Sequence, residues 1–454
     1  MSLSDPQLAM RFGYGLSPQF AAPRGASAWI DALYGPDPGL RYRQPDTDTA
    51  MQAMDAFVRA NRALREDETE ANRIARRDAS RGVMGAVFDE RRRMLLRATH
   101  TPVPLHDRLT EFWQDHFTVR IPPVRLRAFV PLFTENAVRP HVAGRFSDML
   151  KAVVTHPAML LYLDQATAVG PSSDAGKRTG RGLNENLARE VLELHTLGVD
   201  GPYTQDDVRQ LAELFTGLRA DFGGFSFRPH LAEPGAETVL GRSYGGDDRA
   251  QLDDVLAVLD DLATHPATAA HIARKLAVHF TSDTPDAALI ADLTDTFLRT
   301  DGDLAAITGV LIDHPATHAS YGQKARRPLE FVLGGMRALA PDAARLEGLS
   351  NTDLRNLFDL PLEAMGQPHR EAPGPDGWAE AAEDWITPQG LAARISWAMA
   401  APSEIRRDLP DPRIFVDTTL GSLASAETRF AARAAETRWE GVGLILSSPE
   451  FHRR

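Results

Sequence analysis

Cysteine is absent from the 454 residues, which excludes a disulfide framework, a thiolate zinc or iron–sulfur site and a cysteine nucleophile. Lysine is scarce, standing only at Lys151, Lys177, Lys275 and Lys324, so nearly all positive charge is arginine, either through coding bias or for arginine's own chemistry. No uncharged apolar run approaches the ~18 residues of a membrane helix; Ala152 to Leu163 stops well short. Met1 to Gly15 has neither the basic nor the apolar region of a leader, so the chain reads as soluble and cytoplasmic, with export left open if a leader was trimmed. Several chemical signatures are also missing. There is no phosphate-cradling Gly-x-x-x-x-Gly-Lys, no Gly-x-Ser-x-Gly elbow, no His-Glu-x-x-His and no paired Glu-x-x-His, and Gly13-Tyr14-Gly15 is too short for a dinucleotide loop.

What is present is an acidic, globular chain. The 50 basic and 62 acidic residues leave a net charge of −12, so no global positive field invites nucleic acid or an anionic membrane. Apolar residues recur at three- and four-residue spacing and strand-like alternation is rare, which predicts a mainly α fold. The expected architecture is one multi-helix assembly over 1–454, with a Gly/aromatic hairpin or loop insertion near 218–247. That insertion is the natural seam between sub-halves 1–217 and 248–454. Two long charged helices are expected over 50–98, and shorter ones over 104–118, 125–139, 144–155, 157–165, 183–197 and 204–217. Thr204 with Asp207 and Ser350 with Asp353 read as helix starts, and Gly198 as a helix end. Residues 170–182 lack an apolar period and are expected to be mobile, whereas 366–385, with Trp378 and Trp385, is expected to be an ordered loop. His156-Pro157-Ala158, His265-Pro266-Ala267 and His314-Pro315-Ala316 each follow an apolar helical run. Proline suits the first turn of a helix, so these triplets read as helix joints rather than ligand sites.

Polar chemistry concentrates between Asn184 and Gly198. On a helix Glu185, Arg189 and Glu193 form one stripe, Asn186 and Glu190 an adjacent one, and His195 lies on the side of Asn184, Ala188, Val191 and Leu192. A carboxylate, a guanidinium and an imidazole thus leave one helix in neighbouring directions, as a proton-transfer or metal site would need if a second helix faced it. An i,i+4 salt-bridge stripe with a histidine near the helix end explains the same spacing. A second cluster holds Arg108, Glu111, Trp113, Asp115 and His116, with His116 on the apolar face of Leu105, Leu109 and Phe112. Its buried imidazole needs a partner, either a facing carboxylate of the first cluster or a backbone carbonyl. The basic helix carrying His265, His271, Arg274, Lys275 and His279 reads as a solvated face or one turned to an anion.

The sequence resembles the bacterial family catalogued as domain of unknown function 1800. The resemblance is carried by Arg11-Phe12-Gly13, Phe112-Trp113-x-x-His116-Phe117, His156-Pro157-Ala158-Met159-Leu160, Asn184-Glu185-Asn186 through Arg189-Glu190 to Leu194-His195-Thr196-Leu197-Gly198, Ala273-Arg274-Lys275-Leu276, Arg327-Pro328, Pro375-Asp376-Gly377-Trp378 and Ser448-Pro449-Glu450-Phe451. It departs where the family has His-Asn and this chain Gln114-Asp115, a Trp and here Leu218, and His-Asp and here His230-Leu231. An altered or weaker site is implied if the family uses those side chains. The resemblance also implies a sulfatase-like companion protein as partner, and it supplies positions without a reaction.

Two readings follow. In the first, a cleft binds a small anionic ligand or a divalent metal and carries out catalysis. Glu190, His195, Arg189 and His116 are its catalytic candidates, Asn184, Glu185, Asn186, Trp113, Asp115 and His230 its ligand contacts, and Glu190, Glu193 and His195 its metal ligands. In the second, the same side chains form a satisfied network in a non-catalytic helical scaffold or assembly partner.

Overall fold

The computed structural model describes residues 2–43, 47–120, 127–221, 224–246 and 249–454. The fold is mainly α, and its only sheets among the described residues are two antiparallel hairpins, Leu218–Asp221 with Gly224–Phe227 and Gly235–Val239 with Arg242–Gly246. Both hairpins fall in the expected insertion; Phe222, Gly223 and Asp247 of that stretch lie outside the described residues. The two charged helices are Thr47–Glu66 and Glu70–His100, divided where the Thr69 hydroxyl accepts the Asn72 N–H at 3.2 Å. The first residues of the helix expected over 125–139 also lie outside the described range; its remainder is Phe129–Phe133 followed by a π-helical turn, Thr134–Val138. No helix among the described residues is long and apolar enough to cross a membrane.

Local capping follows the sequence closely. Thr204 and Ser350 each form a full capping box with Asp207 and Asp353, and Gly198 ends its helix with φ +90°. Each His-Pro-Ala triplet is a helix start in which the imidazole itself is the cap. Nδ1 of His156, His265 and His314 accepts the N–H of Ala158, Ala267 and Ala316, all at 3.1 Å, and proline fills the first helical position. The stretch 170–182, which lacks an apolar period, contains a short helix, Asp174–Thr179, started by the Ser173 hydroxyl on the Gly176 N–H at 3.0 Å. The Val169 N–H meets the Gly182 carbonyl at 3.1 Å and closes the segment, a contact that an apolar period cannot report.

Apolar side chains gather in two clusters. The first is built by residues from Leu3 to Ile312, including Leu218, Val239 and Tyr244 of the hairpins. The second combines Met94, Leu95 and Leu96 of the long helix with residues from Phe331 to Phe451. The hairpins therefore belong to the first cluster, and the second also draws on Met10, Tyr14 and Tyr42 from the N-terminal part of the chain. Along the boundary between the clusters lie the buried charges described next.

The capping role gives an expected outcome. His265→Ala should lower stability by about 1 kcal/mol while His265→Asp, which keeps an acceptor, should restore it, as read from urea denaturation midpoints.

Candidate functional site

The motif helix begins at Asn184, whose Oδ1 accepts the Asn186 N–H at 2.9 Å while its Nδ2 donates to the Leu163 carbonyl at 3.0 Å. Asn186–Glu190 is α-helical, and Val191–Thr196 widens into a π turn in which the Leu197 N–H reaches the Leu192 carbonyl at 3.0 Å. The Thr196 hydroxyl satisfies the Val191 carbonyl at 2.6 Å. On the outer stripe Arg189 binds Glu185 at 3.3 Å, Glu193 at 3.2 Å and Gln205 at 2.9 Å, so its charge is fully committed. Half-buried Glu190 has no hydrogen-bond or ion-pair partner among the described residues. Burial first, then Glu193 and the exposed Asp376, pushes its carboxyl up to about 7 against the pull of Arg189.

Behind this helix three imidazoles meet. His116 Nε2 lies 3.2 Å from the His195 carbonyl, and the two rings are 6.2 Å apart. A carbonyl only accepts, so His116 carries its proton on Nε2 and leaves Nδ1 as a buried, unpartnered acceptor. His195 Nδ1 is also buried without a partner. His271 Nε2 donates in the same manner to the Leu194 carbonyl at 3.1 Å, and its ring lies 6.2 Å from that of His116. Burial, then the charge of Lys275, holds His195 at about 3 and His271 at about 4, and keeps His116 well below the usual imidazole range. Lys275 follows His271 by one turn and is half-buried. It has no hydrogen bond or ion pair among the described residues, and burial lowers its ammonium against the attraction of Asp115 and Glu380.

A buried ion network adjoins this cluster. Asp115 accepts from Arg327 at 2.5 Å and from the Trp378 N–H at 3.0 Å, and Arg327 also binds Glu380. Lys324 holds Glu380 at 3.0 Å and Asp283 at 2.7 Å. Glu330 faces Arg108 at 2.7 Å and Arg454 at 2.9 Å. Burial alone would raise its pKa, yet Arg108 and then Arg454 hold it well below the usual carboxylate range. Arg370, in the left-handed region at φ +58°, clasps Glu111 at 3.1 Å and Glu90 at 3.0 Å. Gly377 approaches Asp115 so closely that a Cβ would lie 2.6 Å from the Asp115 carbonyl oxygen, and its φ of +87° suits only glycine. These contacts wall a cleft between the Leu105–His116 helix, the start of the Pro328–Leu339 helix and the 367–378 loop.

The residues singled out in the sequence scatter unevenly over this geometry. His116 and His195 come together, with Trp113 edge-on to His116 at 5.3 Å. The partner of His116 is a backbone carbonyl and not a carboxylate. Asn184, Glu185, Asn186, Arg189 and Glu193 are engaged in local helix contacts, and Asp115 belongs to the ion network. His230 is exposed on the Pro229–Leu231 turn and touches none of the others among the described residues. Glu190, Glu193 and His195 do not converge, and no group of three His, Asp or Glu side chains among the described residues is placed to hold a metal ion. The Pro266–Phe280 helix is not a solvated face: His271, Lys275 and His279 form one inward stripe, with Arg274 alone exposed among the basic residues from 271 to 279. Lys275 is absent from the candidate site residues, although its helix reads from the sequence as a solvated face or one turned to an anion.

Against known protein families, residues 7–453 match the profile described as a protein of unknown function, DUF1800. No curated protein and no solved structure matches.

A raised carboxyl has a signed effect on stability. The folded state binds the Glu190 proton more tightly than the unfolded chain, so this contribution is complete below about 4.5 and is lost as pH rises through about 7. Glu190→Gln should therefore gain melting temperature relative to wild type progressively between those two pH values, and an unchanged difference in calorimetry would refute the assignment.

Proposed function

The chain belongs to that family, and we propose that it binds a small anionic ligand at Lys275, with Glu190 as the nearby group that takes up or releases a proton. The observation carrying this reading is the isolated ammonium of Lys275, partly open to solvent, without a carboxylate or carbonyl in reach, and set among neutral imidazoles. A half-buried cation without a counter-ion is poorly solvated, and an incoming anion supplies what the protein withholds. His116 and His195 add unpartnered ring nitrogens that can accept from a protonated ligand group. Asp376, exposed on its loop, acts electrostatically on both Lys275 and Glu190 and links the two halves of the site. Near neutral pH Glu190 is divided between its two protonation states, as general acid–base work requires. Arg189 is not the anion holder in this reading, because two carboxylates already occupy it. A divalent ion on Glu190, Glu193 and His195 is not part of it either, since Glu193 is taken by Arg189.

Thermal-shift titration with phosphate, sulfate, citrate and pyruvate at low ionic strength tests the reading. At least one should stabilise the wild type, and Lys275→Met should weaken it about 10- to 100-fold, the loss of one charge-assisted hydrogen bond. Failure of all four, or binding that survives Lys275→Met, overturns it.

The assembly reading draws on a different observation. Ile414, Phe430 and Trp439 are 62%, 68% and 48% exposed on successive C-terminal helices, an apolar display that suits a protein partner such as the sulfatase-like companion. Co-purification of that companion with the wild type, and its loss in Phe430→Ser with Trp439→Ser, is the outcome expected.

A further inference from the structure

The cleft beneath the 367–378 loop is separate from the Lys275 cluster. Neither Lys275 nor His116 nor His195 lines it. Its walls bring Arg108, Arg327 and Arg370 against Glu111, Asp115 and Glu330, so its lining charges cancel. The carboxylates are already engaged: Glu111 by both terminal nitrogens of Arg370 at 3.1 and 3.2 Å, Asp115 by Arg327 and the Trp378 N–H, and Glu330 by Arg108 and Arg454. Donors remain in excess. Arg108, only 2% exposed, keeps Nε and Nη2 buried without a hydrogen-bond partner, while His279, whose Nδ1–H donates to Glu380 at 2.7 Å, adds an unpartnered acceptor at Nε2. Tyr14 is 2% exposed, lines the cleft and has no hydrogen-bond partner for its hydroxyl among the described residues.

We propose that this cleft binds an uncharged, polyhydroxylated ligand, a sugar or the sugar end of a longer saccharide. An anion would lose its hydration without meeting a net positive field. A hydroxyl group instead both accepts from the spare guanidinium and phenol hydrogens and donates to remaining carboxylate lone pairs. Trp378 is among the lining residues, and an indole is the kind of apolar surface that the C–H face of a sugar packs on. The site does not depend on the lysine reading above.

Isothermal titration calorimetry with glucose, galactose, mannose, trehalose and maltotriose, beside glycine and citrate, tests this. At least one saccharide binds with 1:1 stoichiometry, and Tyr14→Phe and Trp378→Ala each weaken it about 10-fold, the effect of one lost contact. Tyr14→Phe preserves the buried ring, and its melting temperature verifies the fold. Preference for maltotriose over glucose assigns a chain end, and the reverse a free sugar. Absence of binding by every saccharide, binding of glycine or citrate in their place, or unchanged affinity in both variants overturns the proposal.

Discussion

A carboxylate buried as deeply as Glu330 stays charged only while cations stand beside it, and that requirement organises the centre of the molecule. Arg108 reaches it from the first core's side and Arg454 from the second's, so the two cores meet in one register. Burying these charges carries a large desolvation cost, and their pairing is better understood as fixing which helices face each other than as adding net stability. From Arg327, one helical turn before Glu330, the network passes through Asp115 to the Trp378 N–H and so positions the loop that roofs the cleft. Arg370 secures the other end of that loop on Glu90 and Glu111.

This architecture explains why arginine, and not lysine, fills the interior. Arg337 donates to the carbonyls of Gly15, Ala98 and Thr101, and Arg394 to that of Arg326, bonds a planar fork can make to several acceptors at once. Lysine offers a compact charge without that reach. Lys324 is paired directly with two carboxylates, whereas Lys275 feels Asp115 and Glu380 only at a distance and forms no ion pair among the described residues. Burial, and then the charge of Lys275, keeps the neighbouring imidazoles neutral, so the Lys275 cluster and the charge-balanced cleft differ electrostatically.

The π turn at Val191–Thr196 shows how local geometry and site are coupled. It carries the carbonyls of Leu194 and His195 to the imidazoles of His271 and His116. Those carbonyls stand in the last turn of the helix, where no intrahelical N–H reaches them, and are open to accept from the imidazoles. No residue preference in Val191 to Thr196 announces this widening, because α and π turns ask for the same apolar spacing over so short a stretch.

The amino-acid sequence by itself determined what depends on near neighbours: the mainly α content, the boxes at Thr204 and Ser350, the histidine-capped starts before Pro157, Pro266 and Pro315, and the Glu185–Arg189–Glu193 ladder. Each is a contact within about one helical turn, which periodicity and capping chemistry can express. Tertiary structure alone decided the pairing of Arg108 with Glu330, 222 residues apart, and of Asp115 with Arg327, 212 apart. It also decided that Lys275 turns inward and that His230 stands apart. Burial sets which charges must find partners and which imidazoles lose their protons, and burial is a property of the packed molecule, invisible to spacing along the chain.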